Sequence, residues 1–588
     1  MFRTIGCAEI QPELENQTVT LSGWIERVRE IGGVAFLLLR DSTGVVQLTI
    51  QQDNPCMQQV KNLHHEDVVK AIGTVKKRSA DLVNPNMKTG QIEVLLESLE
   101  VLNSCQPLPF QPMQSQNVDE NLRLRYRYLD TRNPLVMEKF KVKHTIMQTT
   151  RQYFSQHRFF EIETPYLGRS TPEGARDFIV PSRILPGKFY ALTQSPQLFK
   201  QLLMVGGLER YFQICRCFRD EDFRLDRQPE FSQIDFELSF TTEQEIRVLI
   251  EGLMQSIFQQ LNLPELPFSF LSMSYQEAML KYGTDKPDLR FDLSFTDVKP
   301  ILKNSSHEFV KESFAKGDEW FAFRLPGDMV SLSRKDLDNI LAEYPSGQDK
   351  YYIVKVREDG LHANFLGDEE KKKLQAHFSL NPNDWLVLGI GKKAPTLRLL
   401  AALRLHFGKT FFLKSSSPSF QFAWIVNFPL FTWNEELSKL DSEHHPFTLP
   451  RIHSLDQLSQ EDPLSIGSHA FDLVLNGFEL GSGGLRIFQP TMQREIFRKI
   501  GLSDEKIDQD FGFLLEALSF GAPPEGGFAI GLDRLAMLIS DSPSLRDVIA
   551  FPKNTKGISP LTGEPSILPN QQIADLGLSV LVDPAKEG

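Results

Sequence analysis

Cysteine is scarce in this chain: five residues, an odd number, widely scattered through 588. That excludes a scaffold stapled by disulfides and points to reduced thiols in a cytosol. Only Cys215 and Cys217 stand close together, and without a second close pair they make no zinc ligand set. No apolar run is long enough to span a bilayer. The N-terminus also lacks a basic segment followed by an apolar stretch, so neither a membrane anchor nor a secretory leader is expected. An excess of positive charge is missing too. The net charge is −12, which excludes a protein that coats nucleic acid indiscriminately. A nucleic-acid partner would have to be held by local patches and by shape.

What is there describes a soluble globular protein, 41% hydrophobic and 24% charged. A chain of this length is too long for one core, and about three or four domains are expected. The most informative stretch is residues 218–235, FRDEDFRLDRQPEFSQID, which predicts a strand, a charged loop and a returning strand. On the first strand Tyr211, Gln213, Cys215, Cys217 and Arg219 share one face, opposite Phe212, Ile214, Arg216 and Phe218. On the second, Phe231, Gln233, Asp235 and Glu237 lie opposite the apolar Ile234, Phe236, Leu238 and Phe240. Such a pair has an oily face for helices to cover and a polar face that can floor a ligand site. Arg219, held where a strand ends, can meet a phosphate or carboxylate bidentately, and Phe231 is placed to stack on a flat base. The competing reading is an ordinary hairpin with a solvated loop.

Upstream, residues 19–102 read as strand, hairpin, short helix over 55–65, and two further strands. Five strands with a helix after the third predict an OB barrel, a frequent binder of single-stranded nucleic acid. Arg29, Phe36 and Gln47 are candidates for its binding face, although Phe36 taken alone reads as core before stacking platform. QPLPFQPMQSQN, residues 106–117, reads as a linker. A helix follows over 137–157, with Val142, Ile146, Thr149 and Tyr153 on one stripe, and it runs into the short strand FFEIETP.

TPEGARDF puts Glu173 and Asp177 in a loop. The next helix is expected to start with Ser195 as cap and Pro196 as its first residue, placing Gln197 and Lys200 on one face. From 292 to 420 the texture changes to separate strands and helices such as YYIVKVRED and DWLVLGIG, read as an inserted domain. HHPF, residues 444–447, sits in a loop. In FDLVLNGFELGSGGLRI the Asn476-Gly477 turn pairs Val474 with Glu479 and puts Asp472 on the same face as Glu479. Two carboxylates brought together suit a hard divalent cation shared with phosphate oxygens, so Mg2+ is the implied cofactor. PPEGGFAIGLDRLAMLI is a strand entering a helix with Arg534 in its first turn, which favours an anion; a structural salt bridge is the alternative. The tail beyond Lys556 carries no signal.

Residues 218–235 closely resemble the second signature motif of the class II aminoacyl-tRNA synthetases, in the form carried by aspartyl-tRNA synthetases. The likeness runs from about Met1 to Lys556. The helix and strand before Pro165 resemble the first motif, which implies a homodimer interface, and the stretch around Arg534 resembles the third. GTDKPDLRF, residues 283–291, resembles the bacterial-type approach to an insertion.

The resemblance implies a multidomain α+β fold. It comprises an OB-fold anticodon-binding domain (1–105), a linker or hinge (106–132) and an antiparallel-sheet catalytic domain (133–291 and 421–588, with the tail) carrying an inserted α/β domain (292–420). It also implies site residues. Arg219 and Arg534 would be catalytic. Glu173, Gln197, Lys200, Arg219, Asp235, His444, His445 and Arg486 would bind L-aspartate. ATP would be held by Arg219, Asp220, Glu221, Gln228, Phe231, Glu479, Gly531, Leu532, Asp533 and Arg534, and Mg2+ by Asp472 and Glu479. Arg29, Phe36 and Gln47 would read the anticodon of tRNA(Asp). Ile31 and Asp81 occupy the barrel positions tied to whether tRNA(Asn) is charged as well. The expected activity is a cytoplasmic aspartate–tRNA ligase working through aspartyl-adenylate. An asparaginyl-tRNA synthetase-like enzyme and a non-catalytic tRNA-binding paralogue are the alternatives.

Overall fold

The computed structural model describes residues 1–170, 175–222, 226–345, 349–413, 420–435 and 437–581, and structural statements concern these. The chain divides into two compact units, residues 1–118 and 119–588.

In the first unit, alternation with period two closes five strands into a barrel. The strands are β1 (Thr18–Ile31), β2 (Val34–Asp41), β3 (Gly44–Ile50), β4 (Val68–Lys77) and β5 (Ile92–Asn103), ordered β1-β2-β3-β5-β4. Ala35, Leu37, Leu39, Val46, Leu48 and Ile50 fill the interior, and the residues between them face outward. The helix expected over 55–65 is shorter, Met57–Val60. Only Val60 of it is fully buried, too little apolar surface to hold more turns.

In the second unit an eight-stranded sheet carries the architecture. Its strands are β6 (Phe160–Glu161), β7 (Arg210–Phe218), β8 (Glu230–Ser239), β9 (Leu271–Ser274), β10 (Phe422–Val426), β11 (Ala470–Leu475), β12 (Phe478–Leu485) and β13 (Glu525–Gly531), ordered β9-β10-β11-β12-β13-β8-β7-β6. Helix α1 (Pro134–Gln156) starts at Pro134 rather than Met137, because Asn133 caps it by accepting from the Leu135 amide at 2.9 Å. Helix α2 spans Gln197–Val205, so Pro196 precedes its first residue instead of being it. Helix α3 (Glu243–Gln260) opens with a capping box of Thr242 and Glu245.

The oily face of the sheet, with Phe212, Ile234, Phe236, Phe528 and Ile530, packs on Ile146 and Phe154 of α1 and on Ile246, Ile250 and Leu253 of α3. Covering one face this way leaves the opposite, polar face as the floor of a site.

Residues 296–391 form a second, five-stranded sheet whose central strand, Trp385–Gly391, is buried throughout. One of its faces packs Phe323 and Val387 on Leu400 and Leu403 of helix α4 (Lys393–Phe407); the other packs Trp320 and Leu388 on Val310 and Leu374. Helix α5 (Leu532–Ile539) follows β13 directly. Among the described residues no helix is long and apolar enough to cross a membrane.

Candidate active site

Strands β7 and β8 pair in the register Tyr211 with Glu237, Gln213 with Asp235 and Cys217 with Phe231. That register puts the polar residues of both strands on one face, as their alternation requires. Above the face lies a cavity of about 610 Å³, large enough for a nucleotide and a small partner, lined by Arg219, Phe231, Asp235, Lys200, Arg486, His444, His445, Glu479 and Arg534 among others. The Arg219 guanidinium sits 5.3 Å from the centre of the Phe231 ring, so cation and aromatic surface act as one platform.

One end of the cavity is built to hold charge away from water. The Lys200 ammonium is 2.8 Å from Asp235 and 3.0 Å from Glu237, and Arg486 meets Glu237 at 2.8 Å. These side chains are all at most 2% exposed. Burial penalises the Lys200 charge, but the two carboxylates outweigh it and hold its pKa above the usual value. Burial raises the Asp235 carboxyl to about 6, with Lys200 opposing. Glu237 is drawn the other way, below the usual carboxylate range: burial works against its charge, and Arg486 and Lys200 overcome that.

Gly527 on β13 makes room for this cluster. A Cβ there would lie 2.0 Å from a Glu237 carboxylate oxygen and 2.2 Å from the Phe236 carbonyl oxygen. Two buried polar atoms at this end, Oδ1 of Asp235 and Nε2 of Gln197, have no hydrogen-bond partner. An acceptor and a donor left open beside two cations fit a ligand that carries both an ammonium and carboxylates.

The other end is formed by the β11–β12 hairpin. Asn476 and Gly477 turn it with φ of 52° and 86°, and Val474 pairs with Glu479. The pairing slips between Leu473 and Val474, setting Asp472 opposite Ser482. Asp472 lies behind the cavity wall, 3.1 Å from Nε2 of His444. Burial raises its carboxyl, and the charge on Glu479 adds to that. Glu479 faces the cavity and meets Lys286 at 2.7 Å.

Among the described residues no group of three or more side chains forms a metal cage. Two carboxylates that sense each other, completed by phosphate oxygens and water, are what a hard divalent ion such as magnesium takes. Arg534, in the first turn of α5, donates to the Glu479 carbonyl oxygen and lies 3.5 Å from Asp226. Its Nε is buried without a partner.

Most of the residues expected here therefore converge: Gln197, Lys200, Arg219, Glu221, Gln228, Phe231, Asp235, His444, His445, Glu479, Arg486, Gly531, Asp533 and Arg534 all line the one cavity. Others stand apart. Leu532 is buried in the core beneath the helix start, and Asp220 is exposed, bridging Arg176 through its backbone outside the lining. The Asp533 carboxylate is already engaged, accepting from the Ser232 amide at 2.8 Å and paired with Lys143. Glu173 lies outside the described residues.

Sequence reasoning passed over Lys286 and Ser482, which line the cavity, and the role of Glu237. Strand alternation had put Glu237 beside Asp235, so that signal was present. For Lys286 none was, because the loop carrying it is remote in sequence.

In the barrel, Arg29 pairs across the strands with Phe36. Phe36 is half-buried and absent from the barrel core, and Gln47 lies 3.2 Å from Glu93. The outward face thus presents cation, ring and amide together, and the core alternative for Phe36 falls away. Ile31 is 65% exposed at the end of β1, and Asp81 is exposed in the short helix Ala80–Leu82.

Residues 119–555 match the family model described as tRNA synthetases class II (D, K and N), and residues 19–102 match the OB-fold nucleic acid binding domain. The chain is 42% identical to the aspartate–tRNA ligase of Enterococcus faecalis, covering 98% of this chain and 99% of that one. It is also 42% identical to the aspartate–tRNA(Asp/Asn) ligase of Persephonella marina, over 98% and 97% of the two chains. Among solved structures, asparaginyl-tRNA synthetase from Pyrococcus horikoshii complexed with asparaginyl-adenylate superposes with a TM-score of 0.59 at 20% identity, over 94% of this chain and 98% of that one, a likeness of fold. With a barrel of five strands ahead of a sheet that gathers its cations over one cavity, the chain belongs to the class II tRNA synthetases, and among them to the aspartate–tRNA ligases.

Proposed function

We propose that this cavity joins L-aspartate to ATP and that the aspartyl group then passes to the 3′ end of tRNA(Asp). The observation that carries this reading is the convergence of Lys200 and Arg486, buried with their carboxylates, onto the cavity that also holds Arg219, Phe231 and Arg534.

In the first step an α-carboxylate oxygen of aspartate attacks the α-phosphorus of ATP. The new O–P bond forms as the bond to pyrophosphate breaks. No protein nucleophile is needed, and catalysis rests on orientation and on charge placed where the phosphate oxygens become more negative. Arg219 would bridge the attacking carboxylate and the α-phosphate, with Phe231 under the adenine and Arg534 on the far phosphates. The open oxygen of Asp235 would take the substrate ammonium, while Lys200 and Arg486 take the side-chain carboxylate. Asparagine would leave those cationic donors poorly paired, which is the basis of selectivity. Mg2+ would be held by Glu479 with Asp472, and when bound it would neutralise charge on the phosphate oxygens. In the second step the terminal adenosine hydroxyl of the tRNA attacks the acyl carbon and AMP leaves.

Anticodon reading is assigned to Arg29, Phe36 and Gln47, with Ile31 and Asp81 as the positions bearing on tRNA(Asn). A homodimer through α1 and the strand after it is supported by exposed apolar side chains there, Leu135 at 64% and Phe160 at 59%. The cytoplasm is the proposed place of action. The test is ATP–pyrophosphate exchange, expected with aspartate and absent with asparagine, followed by charging of purified tRNA(Asp) and tRNA(Asn) in turn. Exchange that is indifferent to the amino acid supplied would refute the reading.

A further inference from the structure

Lys286 reaches the catalytic cavity from outside the eight-stranded sheet. It sits in the loop that leads from the helix Tyr275–Tyr282 toward the second sheet, and its ammonium lies 2.7 Å from Glu479. The loop is clamped from two sides. On one, Arg404 of α4 donates to the carbonyl oxygens of Asp288, Phe291 and Leu293 at 2.8, 3.0 and 3.0 Å. On the other, Asp288 packs against the hairpin turn so closely that a Cβ on Gly477 would lie 3.1 Å from the Asp288 Cβ. Lys286 is therefore a positioned cation; its side chain is 40% exposed, and it lines the cavity beside Arg534.

Its partner is the carboxylate to which the proposed function gives the divalent ion. Glu479 and Asp472 would repel each other with nothing between them, and in this structure Lys286 neutralises one while His444 meets the other. Lys286 meets a single oxygen of Glu479, and a metal ion on that carboxylate draws on the same negative charge and repels the ammonium, which loosens the hold on Lys286. The nearest new anion is then the triphosphate entering the same cavity, and an ammonium on a flexible stem is suited to follow it.

We propose that Lys286 is a further ATP-binding residue, neutralising Glu479 before nucleotide arrives and transferring to the phosphate oxygens once the divalent ion occupies that carboxylate. This rests on the ATP-dependent ligase reading and gives residues 283–291, held by the inserted segment, a direct part in the nucleotide site.

Two equilibrium measurements test it, neither depending on turnover. Dissociation constants for labelled ATP with Mg2+ are measured by equilibrium dialysis for the wild type, Lys286→Met and Lys286→Arg. Nucleotide-free Mn2+ binding is followed by electron paramagnetic resonance on the same proteins. Lys286→Met is expected to weaken ATP by about 10- to 100-fold, as loss of a hydrogen bond from a charged group does. The same variant is expected to tighten Mn2+ severalfold, because Glu479 is freed. Lys286→Arg keeps the charge and should retain ATP affinity to within about threefold. Unchanged ATP affinity in Lys286→Met overturns the proposal, and so does unchanged Mn2+ affinity. Wild-type protein that binds ATP but supports no aspartate-dependent exchange would instead count against the ligase reading.

Discussion

Arg486 donates to Nε2 of His445 at 2.8 Å. A guanidinium and a backbone amide can only donate, so both ring nitrogens face donors: Nε2 faces Arg486, and Nδ1 faces the Phe447 amide at 3.2 Å and the Thr448 hydroxyl at 3.3 Å, surroundings that oppose a doubly protonated ring. Burial, reinforced by Arg486, holds the His445 pKa well below its ordinary value. His445 is therefore a neutral spacer that orients Arg486 without adding positive charge.

Replacing Arg486 by lysine keeps one positive charge but loses the fork that spans Glu237 and His445. For Arg486→Lys, kcat/KM for aspartate in pyrophosphate exchange is expected to fall about 10- to 100-fold. The KM for ATP should stay within about threefold. An equal loss for both substrates would mean that Arg486 supports the whole cavity and has no special tie to the amino acid.

Gly527 is required by a close approach rather than by backbone freedom. In Gly527→Ala the new methyl meets the Glu237 carboxylate and the Phe236 carbonyl oxygen, and both belong to a buried strand. Stability is expected to drop by about 1–3 kcal/mol in urea unfolding, with a higher KM for aspartate as Glu237 is pushed off Lys200 and Arg486. Unfolding curves that overlay the wild type would show that the strand yields freely.

Arg219 answers to a rate. Arg219→Ala should slow aspartate-dependent exchange by about 100- to 1000-fold, the usual cost of losing one transition-state donor. A rate near wild type would remove Arg219 from the chemistry.

Asp235 ties activity to pH. With its carboxyl raised to about 6 by burial, it is ionised above that pH and neutral below it. Only the ion accepts strongly from a substrate ammonium, so kcat/KM for aspartate should decline as pH falls through about 6, and Asp235→Asn should give a low, flat profile in that window. The stability contribution runs in the opposite sense. Folding favours the protonated form, so this carboxyl destabilises progressively as pH rises from its ordinary 3.8 to about 6. Thermal melts of wild type and Asp235→Asn across that window check the sign.

Much of this site could be read from alternation and turn chemistry. The two-residue period of β7 and β8 already separated Phe212 and Phe236 from Gln213 and Asp235, and the Asn476-Gly477 turn fixed which residue faces Glu479. What stayed hidden depends on contacts between distant segments. Lys286 and Glu479 are 193 positions apart, and no periodicity links them. Asp533 reads as available for a ligand, yet its carboxylate accepts from the Ser232 amide, and the helix expected over 55–65 is only Met57–Val60 because its buried surface is small. Local pattern sets elements and faces; long-range packing decides which polar groups remain free.

The barrel's order has a consequence for how the first unit meets a partner. Five strands closed into a ring give each strand a partner on both sides, with the seam between β3 and β5 held by Leu48–Val94 and Thr49–Leu95 alone, so an incoming chain finds little free border on which to add a sixth strand. Selection by this unit then falls mainly to outward side chains, with the Arg29–Phe36 pair foremost under the proposed assignment, and a substitution there would change preference while leaving the ring intact.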